Sequence, residues 1–176
     1  VRSEFNEPMF GPRIARACEE GKGAFDPSAL LNPGRVVRAP KMDDRSLFRY
    51  APGYEADAAI TPALDWSEYP GPLGGLLSAV EMCNNNGTCR KFDANVMCPS
   101  YRATRDEQHL TRGRANTLRL ALTGQLPGAL ASDDVAEAVK LCVSCKGCKR
   151  ECPTGVDMAR MKIEVLAARA AKHGIS

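Results

Sequence analysis

Apolar residues recur at helical spacing through most of the chain after residue 75. Four stretches show this spacing most clearly: "GPLGGLLSAVEMC", "RDEQHLTRGRANTLRLAL", "SDDVAEAVKLC" and "VDMARMKIEVLAARAAKHG". Each has small or apolar residues three or four positions apart, which is typical of an amphipathic helix. After residue 40 the sequence shows no convincing alternation of apolar and polar residues, the pattern of a half-buried strand. The sequence therefore predicts a mainly α fold, with residues 75–176 as a helical domain.

The residues that flank these stretches predict where the helices begin. Thr104 and Glu107 have the spacing of a capping box for the second stretch, and Thr154 and Asp157 have it for the last one. A capping serine and two acidic residues begin the third stretch. A basic stretch is expected on a helix exterior, and it consists of Arg102, Arg105, Arg112 and Arg114.

The first 40 residues have a weaker pattern and are expected to form a separate unit. They predict one short helix that ends near Gly21 or Gly23. A second short helix is expected in "FDPSALLNPG", capped by Asp26 with Pro27 in its first turn. Because the chain begins at Val1 rather than at a methionine, we expect it to be a piece of a longer protein.

Residues 41–74 mix proline, glycine and aromatic side chains without clear periodicity. This composition predicts an irregular linker that runs along a surface. Its aromatic residues, such as Trp66, are expected to anchor the linker rather than to stack on nucleic-acid bases. The predicted organisation is therefore a unit at residues 1–40, a linker at 41–74 and a helical domain at 75–176.

The charge balance argues against some classes of partner. The chain has 24 basic and 21 acidic residues, with a net charge of +3, which is too balanced to indicate nucleic acid or an anionic membrane. We find no secretory leader and no apolar run near the roughly 18 residues that a bilayer requires. We expect a cytoplasmic protein, or one peripheral to the inner face of the membrane.

The spacing of the cysteines indicates a metal-binding site. Cys142, Cys145, Cys148 and Cys152, followed by Pro153, have the CxxCxxCxxxCP spacing of bacterial-type ferredoxins. In such proteins the first three thiolates bind one iron-sulfur cluster, and the fourth ligates another. A structural zinc site is the main alternative, because four thiolates also suit tetrahedral zinc. We expect Gly147 to provide a positive φ in this loop.

Three upstream cysteines complete this scheme. Cys98 is followed by a proline, as Cys152 is, so we predict that it supplies the fourth ligand of a 4Fe-4S cluster at Cys142, Cys145 and Cys148. The second cluster would then be held by Cys83, Cys89 and Cys152.

The second site lacks one thiol of the full motif. Asn86 stands where a CxxCxxC run has its middle cysteine. This substitution predicts a 3Fe-4S cluster, or a 4Fe-4S cluster whose remaining iron takes Asn86, water or another oxygen or nitrogen ligand. Alternatively, Asn86 and Gly87 simply form a turn. Cys18 stands apart and is expected to be a small buried hydrophobe.

Several motifs resemble a known family. "FDPSALLNPGRVV" looks like the C-terminal end of the cap domain of FAD-linked oxidases of the glycolate oxidase, D-lactate dehydrogenase and D-2-hydroxyglutarate dehydrogenase type. "CNNNGTCR", "MCPSYRATRDEQHLTRGRAN" and "LCVSCKGCKRECPTGVDMARMK" resemble the ferredoxin region fused behind that oxidase. The helical module is also similar to that of the succinate dehydrogenase iron-sulfur subunit, where the spacing of Cys83 and Cys89 belongs to a 3Fe-4S centre.

The resemblance implies a segment of a larger flavoenzyme whose FAD domain lies upstream in the same polypeptide. Electrons from a D-2-hydroxyacid would pass from FAD through the two clusters to a quinone or a protein acceptor. The segment alone is not expected to be catalytic, and we expect no catalytic residue in it. The alternatives are a scaffold protein with structural zinc and a free-standing ferredoxin-like carrier.

Overall fold

The computed structural model describes residues 2–47, 50, 53–92 and 96–174. Within these residues the regular structure consists of helices, without a strand, which confirms the predicted mainly α class. The α-helices are α1 (Asn6–Phe10), α2 (Pro12–Phe25), α3 (Leu76–Glu81), α4 (Pro99–Thr104), α5 (Thr111–Leu122), α6 (Asp133–Lys140), α7 (Gly147–Glu151) and α8 (Met158–His173). Short 3-10 helices occupy Arg2–Phe5, Arg45–Leu47, Leu73–Gly75, Thr88–Arg90, Glu107–His109 and Ala129–Ala131.

The chain divides into two compact units, Val1–Tyr54 and Glu55–Ser176. The division falls inside the predicted linker at residues 41–74, so part of that stretch belongs to the second unit. All seven cysteines of the predicted clusters lie in the second unit.

In the first unit, α2 continues through both glycines to Phe25, so the predicted end at Gly21 or Gly23 is wrong. The second helix predicted there is also absent from the described residues. Asp26 instead accepts hydrogen bonds from the backbone N–H groups of Leu30 and Leu31, each at 2.9 Å. It also pairs with Lys22 of α2. These contacts stabilise a turn in place of a first helical turn, and the hydrogen bond from Lys22 is the largest cause of the lowered pKa of Asp26.

The first unit leaves its apolar side chains on the surface. Phe25 is 91% exposed and Leu30 79% exposed. Among the described residues of this unit, Asp26 is the one that is buried. The unit therefore has no apolar core of its own in its described part.

The second unit has an apolar core between its helices. Helix α5 packs against α3 and α6, and α8 packs against α5, α6 and the 3-10 helix at Ala129–Ala131. The core is made by Trp66, Leu76, Leu77, Val80, Leu110, Leu118, Leu122, Leu130, Val135, Val139, Val156, Met158, Met161 and Val165.

The helix starts differ in part from the predictions. Ser132 caps α6 by accepting a hydrogen bond from Val135 N at 3.3 Å, as predicted. For α8, Asp157 is itself the N-cap, and its carboxylate accepts from Arg160 N at 3.1 Å. Thr104 ends α4 instead of starting α5, so neither predicted capping box forms.

A buried carboxylate fixes the segment before α3. Glu164 of α8 is 2% exposed and accepts hydrogen bonds from Ala63 N at 2.7 Å, Leu64 N at 2.8 Å and Trp66 Nε1 at 2.7 Å. Trp66 is buried, as expected of an anchoring aromatic residue. These bonds hold the second half of the predicted linker against α8.

No helix among the described residues is both long enough and apolar enough to cross a bilayer.

Candidate metal centre

The loop after α6 and the short helix α7 present the downstream cysteines. Ser144 and Lys146 adopt positive φ values of 53° and 57°, which turn the chain between the cysteines. Gly147 lies inside α7 instead, so the prediction of a positive φ at this glycine is wrong. Two non-glycine residues therefore provide the left-handed turns of this loop.

Four cysteines from two separate parts of the chain line one pocket. Cys98, at the start of α4, lies there with Cys142, Cys145 and Cys148. Cys98 and Cys148 are buried, Cys142 is half-buried and Cys145 is exposed. This is the set predicted for one 4Fe-4S cluster, and its role as a ligand set stays a prediction.

The chemistry of this pocket suits thiolate ligation. The described residues that line it include the four thiols but no carboxylate and no imidazole. Soft thiolate donors are the ligands of iron-sulfur clusters, and they also bind zinc. Across the described residues, no group of three or more histidine, cysteine, aspartate or glutamate side chains has an arrangement that could hold a metal ion.

The two buried thiols of this pocket differ electrostatically. Burial raises the pKa of Cys148, and the nearby carboxylate of Asp157 adds to this effect. Burial would also raise the pKa of Cys98, but hydrogen bonding with Ser100 and the positive charge of Arg114 outweigh it. The pKa of Cys98 is therefore lowered, which favours its thiolate form.

Two polar contacts fix the loops that carry these cysteines. The carboxylate of Glu151, at the end of α7, accepts hydrogen bonds from Val96 N and Met97 N at 2.8 Å each. Lys162 Nζ of α8 donates to the carbonyl of Cys142 at 2.5 Å. Because Val96 and Met97 directly precede Cys98, Glu151 joins the upstream cysteine loop to the downstream one.

Cys83 and Cys89 form a second buried pair. Cys83 follows α3, Cys89 lies in the 3-10 helix at Thr88–Arg90, and each is 7% exposed. Burial raises the pKa of Cys89, and the neighbouring Cys83 contributes to the same effect. The positive charge of Arg112 acts in the opposite direction on Cys89.

The loop between these two cysteines is a turn built by asparagines. Asn86 Oδ1 accepts from Thr88 N at 2.8 Å, and Asn86 Nδ2 donates to Asn84 Oδ1 at 2.5 Å. Gly87 has a φ of 78°. Both polar atoms of the Asn86 side chain are therefore engaged within the loop, which favours the turn interpretation; ligation by Asn86 stays a prediction.

Cys152, the predicted third ligand of the second cluster, directly follows α7. Its Sγ lies 3.3 Å from Thr154 Oγ1. Burial would raise its pKa, but this hydrogen bond and those from nearby backbone groups outweigh it and lower the pKa. Its membership of a site with Cys83 and Cys89 also stays a prediction. Cys18 is half-buried in α2 and belongs to the other unit.

The sequence interpretation missed one functional candidate in the pocket wall. Arg114, expected on a helix exterior, is 1% exposed and lines the pocket of the four cysteines. The signal was present in the spacing, because Arg114 lies four residues from both Leu110 and Leu118. Residues four apart share a helix face, so Arg114 lies in the same buried row as these leucines.

Sequence comparisons agree with the chemistry of the cysteines. Residues 79–156 match the family described as the 4Fe-4S dicluster domain. This match supports an iron-sulfur electron-transfer role and a 4Fe-4S type of cofactor.

Longer similarities extend over nearly the whole chain. A D-2-hydroxyglutarate dehydrogenase of Pseudomonas putida is 30% identical over 90% of this chain and 18% of its own length. The enzymes of the same name from Escherichia coli and Pantoea ananatis are 27% and 26% identical, each over 94% of this chain and 19% of their own length. The chain thus spans about a fifth of the length of these relatives.

No solved structure matches the chain significantly. The sequence relationships nevertheless cover both units of the fold. The chain is therefore similar to a segment of D-2-hydroxyglutarate dehydrogenases, and its residues 79–156 match the 4Fe-4S dicluster domain.

Proposed function

We propose that this chain is the iron-sulfur electron-transfer segment of a larger flavin-linked D-2-hydroxyacid dehydrogenase. The observation that carries the proposal is the pocket in which Cys98 meets Cys142, Cys145 and Cys148. The sequence predicted this set from two motifs that lie more than 40 residues apart, because Cys98 is followed by a proline as Cys152 is. If Cys98 lay on an unconstrained surface loop, nothing would place it beside the downstream cysteines.

The proposal assigns seven cysteines to two clusters. A 4Fe-4S cluster would be held by Cys98, Cys142, Cys145 and Cys148. A 3Fe-4S cluster, or a 4Fe-4S cluster with a non-thiolate ligand such as Asn86, would be held by Cys83, Cys89 and Cys152. Bound clusters supply one-electron transfer, which thiolate ligation, hydrogen bonds to sulfur and burial tune.

The chain's own residues prepare the first site. Glu151 holds the backbone before Cys98, and Lys162 holds the carbonyl of Cys142. These contacts hold the two cysteine loops in place before a cluster binds. Burial of Cys98 and Cys148 restricts the access of water to the site, and low solvent exposure is one of the factors that set cluster potentials.

The first unit fits the proposal as the tail of a flavoprotein cap domain. Its apolar side chains, including Phe25, Leu30 and Met9, are exposed in the chain described here. We propose that the upstream FAD domain of the same polypeptide covers them. The greater length of the relatives supports this, since each is about five times as long as the aligned segment.

The substrate class of the full-length protein is proposed from the name of the relatives, and the acceptor from the resemblance of the sequence motifs. FAD bound upstream would accept a hydride from the carbon that bears the hydroxyl group of a D-2-hydroxyacid. The electrons would leave singly through the clusters to a quinone or a protein acceptor. We propose a cytoplasmic location, or a peripheral one at the inner face of the membrane.

The test compares cysteine variants of anaerobically reconstituted protein by electron paramagnetic resonance and by iron and sulfide analysis. Cys98→Ala and Cys145→Ala should lose the same cluster signal, because both residues belong to one ligand set. Cys152→Ala should lose the other signal. Cys18→Ala is the matched control and should keep both signals.

Two outcomes would contradict the assignment. Loss of different signals in Cys98→Ala and Cys145→Ala would show that these residues serve different clusters. A colourless protein that binds zinc without sulfide would support the structural-zinc alternative. A free-standing carrier would be indicated instead by a reading frame that lacks an upstream FAD domain.

A further inference from the structure

A buried arginine contacts the thiol that joins the two cysteine motifs. Arg114 Nη1 lies 3.4 Å from Cys98 Sγ, and Arg114 Nη2 donates to Ser100 Oγ at 2.8 Å. Its Nε donates to the carbonyl of Ala138 at 2.8 Å. Arg114 thus connects α5, α6 and the start of α4 at the wall of the cysteine pocket.

The charge of Arg114 has no carboxylate partner in these contacts. Ser100 and Ala138 are neutral acceptors, and the remaining partner is the thiol of Cys98. Among the described residues, the ion pairs of the chain do not include Arg114. A buried charge is strongly unfavourable unless an opposite charge lies nearby. The pocket is therefore suited to a negatively charged group.

A thiolate-ligated cluster would provide that negative charge. Four deprotonated cysteines would lie around the pocket, and Arg114 lies in its wall. Other basic residues near the cysteines are poorer candidates for this role, because Lys146 and Lys149 are exposed to water. Water screens exposed charges far more than buried ones.

We propose that Arg114 is a positioning residue that compensates the charge of the cluster at Cys98, Cys142, Cys145 and Cys148 and raises its reduction potential. This inference rests on the proposed function, because it requires a cluster at that site. Positive charge favours the more negative, reduced form of the cluster. The hydrogen bond to Ser100 and the contact with Cys98 hold the guanidinium in place.

The test is a redox titration of this cluster, monitored by electron paramagnetic resonance, in Arg114→Met and Arg114→Lys. Arg114→Met removes the charge and should lower the midpoint potential. The expected shift is at least a tenfold change in the ratio of reduced to oxidised cluster at a fixed potential, or about 59 mV for one electron. Arg114→Lys retains the charge and should restore most of the potential.

Arg169→Met provides a matched control. Arg169 also donates to backbone carbonyls, those of Ala131 and Ser132 at 3.2 Å each. Unlike Arg114, it has a carboxylate partner, Asp133, at 3.0 Å. It lies on α8 about 15 Å further along the helix axis than Ala159 of the pocket wall, at a rise of about 1.5 Å per residue. Its loss should leave the midpoint potential unchanged.

A second variant keeps the test decisive if Arg114→Met fails to fold. Ser100→Asp leaves Arg114 in place and puts a carboxylate next to its guanidinium, so it should also lower the midpoint potential. An unchanged potential in Ser100→Asp, or in a folded Arg114→Met protein that binds the cluster, would overturn the inference. Equal losses of potential in Arg114→Lys and Arg114→Met would also overturn it, because charge would then not be the cause.

The proposed function and this inference fail in different ways. If the unmodified protein binds no cluster, the proposed function fails. If the unmodified protein binds the cluster and the variants keep its midpoint potential, the proposed function stands and the role of Arg114 is wrong.

Discussion

Single side chains in unexpected environments distinguish the two cysteine sites of this protein. At the first site, Arg114 adds a buried positive charge beside a complete set of four cysteines. At the second, Asn86 replaces the expected middle cysteine of the motif and instead forms hydrogen bonds within its own turn. The two clusters that we propose are therefore expected to differ in ligation and in their response to mutation.

Asn86→Cys tests the ligand deficit of the second site directly. The new thiol would complete the CxxCxxC run of Cys83 and Cys89. A 3Fe-4S signal in the oxidised protein should then be lost and a 4Fe-4S signal should appear on reduction. Electron paramagnetic resonance of both states measures the change.

The control for this substitution is Asn84→Cys. It adds a thiol to the same loop but two positions away from the motif position, so the spectrum should not change. If Asn86→Cys also leaves the spectrum unchanged, position 86 is only part of a turn, and the missing ligand must be sought elsewhere.

At the scale of the helices, α8 connects the cysteine loops to the rest of the second unit. Its N-cap, Asp157, follows Cys152 closely, and its Lys162 holds the carbonyl of Cys142. In its middle, Glu164 holds residues 63–66 by three hydrogen bonds. One helix thus positions both the downstream cysteine loop and the segment that leads to α3.

Glu164→Ala should destabilise the second unit. It would leave the buried indole N–H of Trp66 and the partly buried backbone N–H groups of Ala63 and Leu64 without their acceptor. We expect the free energy of unfolding to fall by about 2 kcal/mol, since an unsatisfied buried donor costs about 1–3 kcal/mol. Urea unfolding under anaerobic conditions, with both proteins in the same cluster state, measures the difference.

Glu137→Ala is the matched control for this helix contact. Glu137 forms a pair with Lys140 at 3.2 Å on the exposed face of α6. Surface pairs of this kind contribute about 1 kcal/mol or less, so the change should be small. Equal destabilisation by both substitutions would show that the bonds of Glu164 do not stabilise the fold specifically.

The helical class and Ser132 as a cap could be predicted from the sequence, because local spacing and capping chemistry determine them. Other helix ends could not. Thr104 and Glu107 have capping-box spacing, yet α4 ends at Thr104 because that segment forms a separate short helix after Cys98. The conformation around Asp26 is set by its bonds to Leu30, Leu31 and Lys22, which spacing alone does not reveal.

The candidate site also combines features that the sequence predicts with features that it does not. That Cys98 lies in one pocket with Cys142, Cys145 and Cys148 agrees with the Cys-Pro pair that ends each motif, whereas their role as ligands stays a prediction. The burial of Arg114 was not predicted, since a basic residue in a basic stretch usually lies at the surface. Its spacing of four residues from both Leu110 and Leu118 indicated a buried helix face, but the charge of the side chain argued against burial.

At the scale of the whole molecule, the two units differ in whether their described residues form an apolar core. The second has a core of apolar residues from most of its helices, whereas the described part of the first has none. Exposed apolar side chains such as Phe25 are expected to be covered when a protein folds completely. This difference supports our proposal that the first unit packs against an upstream flavin domain.

Low-temperature electron paramagnetic resonance of anaerobically reconstituted protein, first oxidised and then reduced with dithionite, tests most directly whether the protein binds iron-sulfur clusters. We expect two distinct clusters. A 4Fe-4S signal should appear on reduction, and the three-thiolate site should give either an oxidised signal that disappears on reduction or a second reduced signal. Silence in both states, with zinc in place of iron and sulfide, would contradict the central claim that this chain carries electrons.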